Sequence, residues 1–76
     1  MTLAESFARV LREKPEKISD ATSRKTHRRW DSLSHAQIVV MLEETYNVKF
    51  TPLEIDEITS VAAARALLTS KGIVVT

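Results

Sequence analysis

Three side chains capable of chemistry fall within one helical turn of each other: the Asp31 carboxylate, the Ser32 hydroxyl and the His35 imidazole. A serine works as a nucleophile when a neighbouring base takes its proton and a third group orients that base. No complete nucleophile–base–orienter set can be picked out of the chain, so it is not expected to be an enzyme. Two readings of Ser32 remain: an ordinary helix N-cap, for which serine is among the favoured residues, or a hydroxyl that a separate enzyme modifies. The second histidine, His27, sits in a different context, and there is no cysteine. A structural zinc site wants four ligands and a catalytic site three, so no metal is expected.

The run Arg24-Lys25-Thr26-His27-Arg28-Arg29 is the other conspicuous cluster. It reads as an anion-binding patch or as a solvated loop. Only Trp30 stands ready to stack on a base, and the rest of the chain leans acidic. Residues 1–30 carry eight basic and four acidic side chains, residues 31–76 three and six, and the net charge is +1. Neither nucleic acid nor a membrane is expected as partner. Docking of acidic partners, or contact with an attached phosphate, is a middle reading of the run.

These residues must be positioned by a small scaffold. Seventy-six residues make one domain, expected over 1–76, with room for a single core and none for a separate catalytic unit. One Gly and two Pro favour helices over a meander of strands. No apolar run is long enough to span a bilayer. No basic-then-apolar leader opens the chain, so a cytoplasmic location is expected.

Thr2-Leu3-Ala4-Glu5 has the form of a capping box. It predicts a first helix from Leu3 to about Lys14, with Leu3, Phe7, Val10 and Leu11 inward and Pro15 as the stop. Residues 15–30 read as a long polar loop, anchored by Ile18 and Trp30. Asp31 or Ser32 caps a second helix that runs to Tyr46 with Asn47 as a left-handed stop. Leu33, Ala36, Val40 and Tyr46 fall near one face of it, and Ile38, Val39, Met41 and Leu42 broaden that face. Val48 and Phe50 suit a docked link. Thr51-Pro52-Leu53-Glu54 is a second capping box, opening a short third helix through about Glu57. Ser60 caps a fourth helix ending near Lys71-Gly72, after which Ile73, Val74 and Val75 pack back or fray. The fold class is therefore all-α: a four-helix antiparallel bundle with a long first loop and a short third helix.

The stretch Trp30-Asp31-Ser32-Leu33-Ser34-His35 resembles the Asp-Ser-Leu signature of the acyl carrier protein family. Leu42-Glu43-Glu44, Val48-Lys49-Phe50 and Ile58-Thr59-Ser60-Val61 are similar to further family segments, in order and without a gap. The resemblance implies a carrier, with 4′-phosphopantetheine from coenzyme A on Ser32 and an acyl or aminoacyl cargo held as a thioester. It implies that Asp31 caps the helix and is recognised by the phosphopantetheinyl transferase. Leu33 would turn into the core beneath the serine. His35, Glu43, Glu44, Asp56 and Glu57 would meet the transferase and the cargo-loading and cargo-using enzymes. A monomer is expected.

Trp before the signature and His three residues after the serine look like discrete carriers of specialised pathways, serving polyketide units, modified sugars or unusual acids. Ser34 and Gln37 stand where fatty-acid carriers are often acidic, which points the same way. The alternative is an unmodified helical interaction module with a carrier-like fold.

Overall fold

Each of the four α-helices starts at a side-chain cap that lies three residues from the amide it binds. The computed structural model, which describes residues 2–76, has four α-helices: α1 (Leu3–Leu11), α2 (Ser32–Tyr46), α3 (Pro52–Glu57) and α4 (Val61–Ser70). At α1 the Thr2 hydroxyl accepts from the Glu5 amide at 3.1 Å, and the Glu5 carboxylate accepts from the Thr2 amide at 2.7 Å. Thr51 and Glu54 repeat this box at α3, at 3.2 and 2.9 Å. Both boxes and the span of α3 match the sequence reading.

The first helix is shorter than predicted. It ends at Leu11 and not near Lys14, because Arg12 takes the left-handed conformation at φ 57° and turns the chain. Left-handed backbone is unusual for a residue with a Cβ. Here it is locked: the Arg12 and Glu13 amides both reach back to the Ala8 carbonyl. The Arg29 guanidinium donates to the Leu11 and Arg12 carbonyls at 3.4 and 3.2 Å. Pro15 begins a short 3-10 turn, Pro15–Lys17, instead of stopping α1.

The long first connection is stitched to α4, not free. Helices leave their first amides without intrahelical partners. At α4 the Val61 amide donates to the Thr22 carbonyl and the Ala62 amide to the Asp20 carbonyl, while the Ser60 hydroxyl accepts from Ala63. Arg24 donates its amide to the Thr59 carbonyl, and Asp20 pairs with Arg65 at 3.2 Å. Ile18 and Trp30 are buried at the two ends of the connection, as expected.

The core collects Leu3, Phe7 and Leu11 from α1, Ile38, Val39 and Leu42 from α2, and Val61, Ala64 and Leu68 from α4, with Phe50 and Ile58 beside them. The second helix is turned relative to the expectation. Leu33 and Val40 are 70% and 52% exposed and Ala36 is exposed, so that part of the predicted face points to solvent, while Tyr46 and the broadening residues Ile38, Val39 and Leu42 pack inward. The buried side is His35, Ile38, Val39 and Leu42. Residues 33 and 35 are about 200° apart around a helix, so Leu33 cannot lie under Ser32 once His35 faces inward. After Gly72, at φ 81°, Ile73 and Val75 pack against the core and Val74 stands out. The Leu3 amide donates to the Thr76 carbonyl at 2.8 Å, tying this tail to α1.

The caps carry a pH signature. Glu54 is held below its usual 4.5, first by the Thr51 amide and then by Lys71, 2.9 Å away. Glu5 is lowered by the Thr2 amide, and Asp31 by the Ser34 amide. A carboxylate depressed by folding stabilises the folded state above its unfolded pKa, and that stability is lost as pH falls through the folded value. Thermal melts should therefore be flat from pH 7 to about 5 and drop on acidification below 4.5, with Lys71→Met shrinking the drop. A melting temperature unchanged at pH 3 would contradict this.

Candidate functional site

Ser32 is the first residue of α2 and is exposed. The two open readings of its hydroxyl separate here, because the capping duty belongs to its neighbour. Asp31 is extended at φ −95°, and its Oδ1 accepts from the Ser34 amide at 2.9 Å. The Ser32 hydroxyl makes no hydrogen bond to any described residue. It stands at the positive end of a fifteen-residue helix, where amide hydrogens have no intrahelical acceptor.

Losing the cap should be felt in stability. Asp31→Ala is expected to lower the melting temperature by about 4 °C, and Asp31→Asn, an equally good cap, to restore most of it. Equal melting of the Ala and Asn variants would mean that the cap contributes nothing.

Immediately before the serine, Trp30 is buried. Its ring meets Phe7 at 5.3 Å and lies over His35 at 6.2 Å. The indole Nε1–H donates to His35 Nδ1 at 3.0 Å. With Nδ1 accepting, the neutral ring carries its proton on Nε2, which lies 2.9 Å from the Ile55 carbonyl of α3 and donates to it. His35 is 6% exposed. The expectation that it meets partner enzymes is therefore corrected: it fills the core side of α2 and ties α3 to the start of that helix.

Glu43 is likewise taken into the fold. Its Oε2 accepts from the Phe50 amide at 2.9 Å, and its carbonyl accepts from Asn47 and Val48. It holds the turn after α2 with one of its carboxylate oxygens. Glu44, Asp56 and Glu57 are exposed. His35 and its bond to Ile55 put the last two next in sequence to the point where α3 is anchored. Leu33, expected inside, is surface, and with Ala36 and Val40 it makes an apolar edge along α2.

The basic run divides in two. His27 Nδ1 accepts from the Arg29 amide at 3.2 Å, and its Nε2 lies 3.0 Å from Glu13. Arg28 and Arg29 line an open groove of about 780 Å³ between α1 and the start of α2. Arg9 and Arg12 line it from the α1 side, and Asp31, Leu33 and Ser34 flank Ser32 on the other. The α1 arginines were not singled out from the sequence. Their only signal was a position off the apolar stripe of that helix.

A family model described as "Phosphopantetheine attachment site" matches residues 2–68. A search of the solved structures finds similarity to a holo acyl carrier protein from Geobacter metallireducens, determined by solution NMR. It is 30% identical, with a TM-score of 0.78 over 91% of this chain and 79% of that one. No curated protein matches the sequence.

Proposed function

This chain belongs to the phosphopantetheine attachment family, and on that premise we propose that Ser32 is the residue that bears the arm. It is a carrier, not an enzyme, and its cofactor is covalently attached 4′-phosphopantetheine. The observation that carries the assignment to Ser32 is the idle, exposed hydroxyl at the first position of α2, with Asp31 as the cap. The surroundings fit a phosphodiester: open amide hydrogens, the positive helix end and nearby guanidiniums all favour an anion there.

When bound, the arm supplies a thiol on which an acyl or aminoacyl group travels as a thioester. The chain's own residues present it. Asp31 keeps the first turn wound, while Trp30 and His35 fix that turn against α1 and α3. Leu33, Val40 and Glu44 on α2, and Asp56 and Glu57 on α3, are exposed and open to the transferase and the cargo-handling enzymes. Such charges mainly set encounter rate and specificity.

We read the protein as a single monomeric carrier domain of the cytoplasm, working in a specialised pathway and not in housekeeping fatty-acid synthesis. Ser34 and Gln37 on α2 and the arginine-lined groove beside Ser32 support this, since they leave the serine's own neighbourhood basic.

Incubation with a broad-specificity phosphopantetheinyl transferase and coenzyme A tests the proposal. The intact mass should rise by one phosphopantetheinyl group, with adenosine 3′,5′-bisphosphate released from coenzyme A. No mass gain with either that enzyme or the native transferase would leave an unmodified helical interaction module.

A further inference from the structure

We infer that the groove between α1 and α2 seats an acidic cargo, an acyl group ending in a carboxylate and tethered to Ser32. The inference rests on the carrier reading above and adds the chemical class of the cargo.

Four arginines converge on this groove: Arg9 and Arg12 from the α1 side, Arg28 and Arg29 from the chain before α2. Their commitments differ. Arg29 is engaged with the end of α1 and stands 4.0 Å from Glu13. Arg9, Arg12 and Arg28 close no ion pair and donate no side-chain hydrogen bond to a described residue. The one carboxylate in the lining, Asp31, is occupied by the Ser34 amide. Arg9 feels the Glu5 carboxylate one turn back, but like charges gathered along one groove repel one another, and an anion between them relieves that repulsion. Arg12 also holds its place in left-handed backbone, a conformation that costs free energy for a residue with a Cβ.

The placement favours a cargo over a protein surface. The groove begins beside the tether point and follows α2 to Met41, about 13 Å along the helix at 1.5 Å per residue. Arg28 stands next to the start of α2 in the chain, within reach of the arm's phosphodiester. Arg9 stands at the other end: it also lines the neighbouring hollow with Val40, Met41 and Glu44. A cation that far along meets the tip of an arm and not its root. Val10, Leu33 and Met41 give the same groove apolar lining for the carbon chain between. Exposed guanidinium–carboxylate contacts are individually weak. On a tether the effective concentration is about millimolar, so weak contacts suffice to populate the seated state.

The test loads the full chain with three arms. Butyryl-pantetheine carries the phosphodiester alone, succinyl-pantetheine adds a terminal carboxylate, and the third is the succinyl arm on the Arg9→Gln/Arg28→Gln variant. Intact mass first reports whether each arm is attached, and failure there sinks the carrier reading itself. With loading established, ¹³C NMR follows the succinyl carboxyl and ¹⁵N NMR the arginine Nε–H groups.

The succinyl carboxyl should titrate about half a unit lower than in free succinyl-pantetheine, as expected for an exposed carboxylate near cations. The double variant should bring it back. The Arg9 signal should move with the succinyl arm and not with the butyryl arm, whereas Arg28, beside the phosphodiester, should move with both. Equal movement of Arg9 with both arms would mean that the phosphodiester is the anion held. No movement of Arg9 with either would leave it to an acidic partner surface. Each of those two results overturns the inference.

Discussion

Ser32→Ala should gain no phosphopantetheinyl group under conditions that modify the unaltered chain completely, and it should melt within about 2–4 °C of it. The first half is a total loss, because the substitution removes the only atom that can form the phosphodiester at that position. The second half distinguishes a tether from a cap. A serine serving as N-cap would lose about 1 kcal/mol on replacement by alanine, or roughly 4–8 °C in a domain of this size. Here Asp31 accepts from Ser34 whether or not residue 32 has a hydroxyl, and alanine is a good helix former. Intact mass spectrometry and a thermal melt on the same sample decide both halves. A persisting mass gain would move the attachment to another hydroxyl, Ser34 being the nearest along α2. A large drop in melting temperature would return Ser32 to the fold.

The elements that were legible in the sequence are those fixed by short-range chemistry. The boxes Thr2–Glu5 and Thr51–Glu54 name their own helix starts, since cap and partner lie three residues apart. Pro52 at the first turn, Ser60 as a cap and Gly72 at positive φ are equally local. What escaped depends on groups distant in the chain. The helix from Ser32 to Tyr46 is apolar almost all round, so its periodicity supports more than one buried face. The choice of His35, Ile38, Val39 and Leu42 over Leu33, Ala36 and Val40 is made by what packs against them. Arg12 ends α1 early because Arg29, seventeen residues on, grips its carbonyl. The loop's tie to α4 was not legible because it uses mainly backbone carbonyls at Asp20 and Thr22, which leave no mark on side-chain pattern.

The same reasoning corrects the site. Asp31 and Ser32 stand at the start of α2 as read, because a helix start is a local event. His35 looked like surface when counted from Ser32, one turn away. Its burial follows from two partners at positions 30 and 55, and no spacing rule joins those three residues. The groove arginines come from two separate segments, 9–12 and 28–29, and only the fold brings them beside the serine.

Trp30→Ala should be the most damaging single substitution around the site. Trp30 is 3% exposed and packs on Phe7 while bonding His35. Emptying such a position costs about 3–5 kcal/mol. A chain of this length has a total stability of about 4–11 kcal/mol. The variant should therefore melt at least about 12 °C lower. Two milder changes separate packing from hydrogen bonding. Trp30→Phe keeps most of the ring but strands His35 Nδ1. His35→Leu strands the indole N–H and removes the side-chain donor to the Ile55 carbonyl, which keeps the Ile58 amide. A buried polar group left without its partner costs about 1–3 kcal/mol, whereas removing both partners together costs less. Combining Trp30→Phe with His35→Leu should thus cost less than the sum of the two, by at least about 0.5 kcal/mol in urea unfolding. Strict additivity would mean that the Trp30–His35 bond is not an energetic link. Amide exchange supplies a second readout: losing the His35–Ile55 bond should speed exchange across residues 52–58 in His35→Leu, while Trp30→Phe leaves that bond intact. Since α3 carries Asp56 and Glu57, the variant that frees it should still accept the arm on Ser32 yet present those acids less firmly to an incoming enzyme.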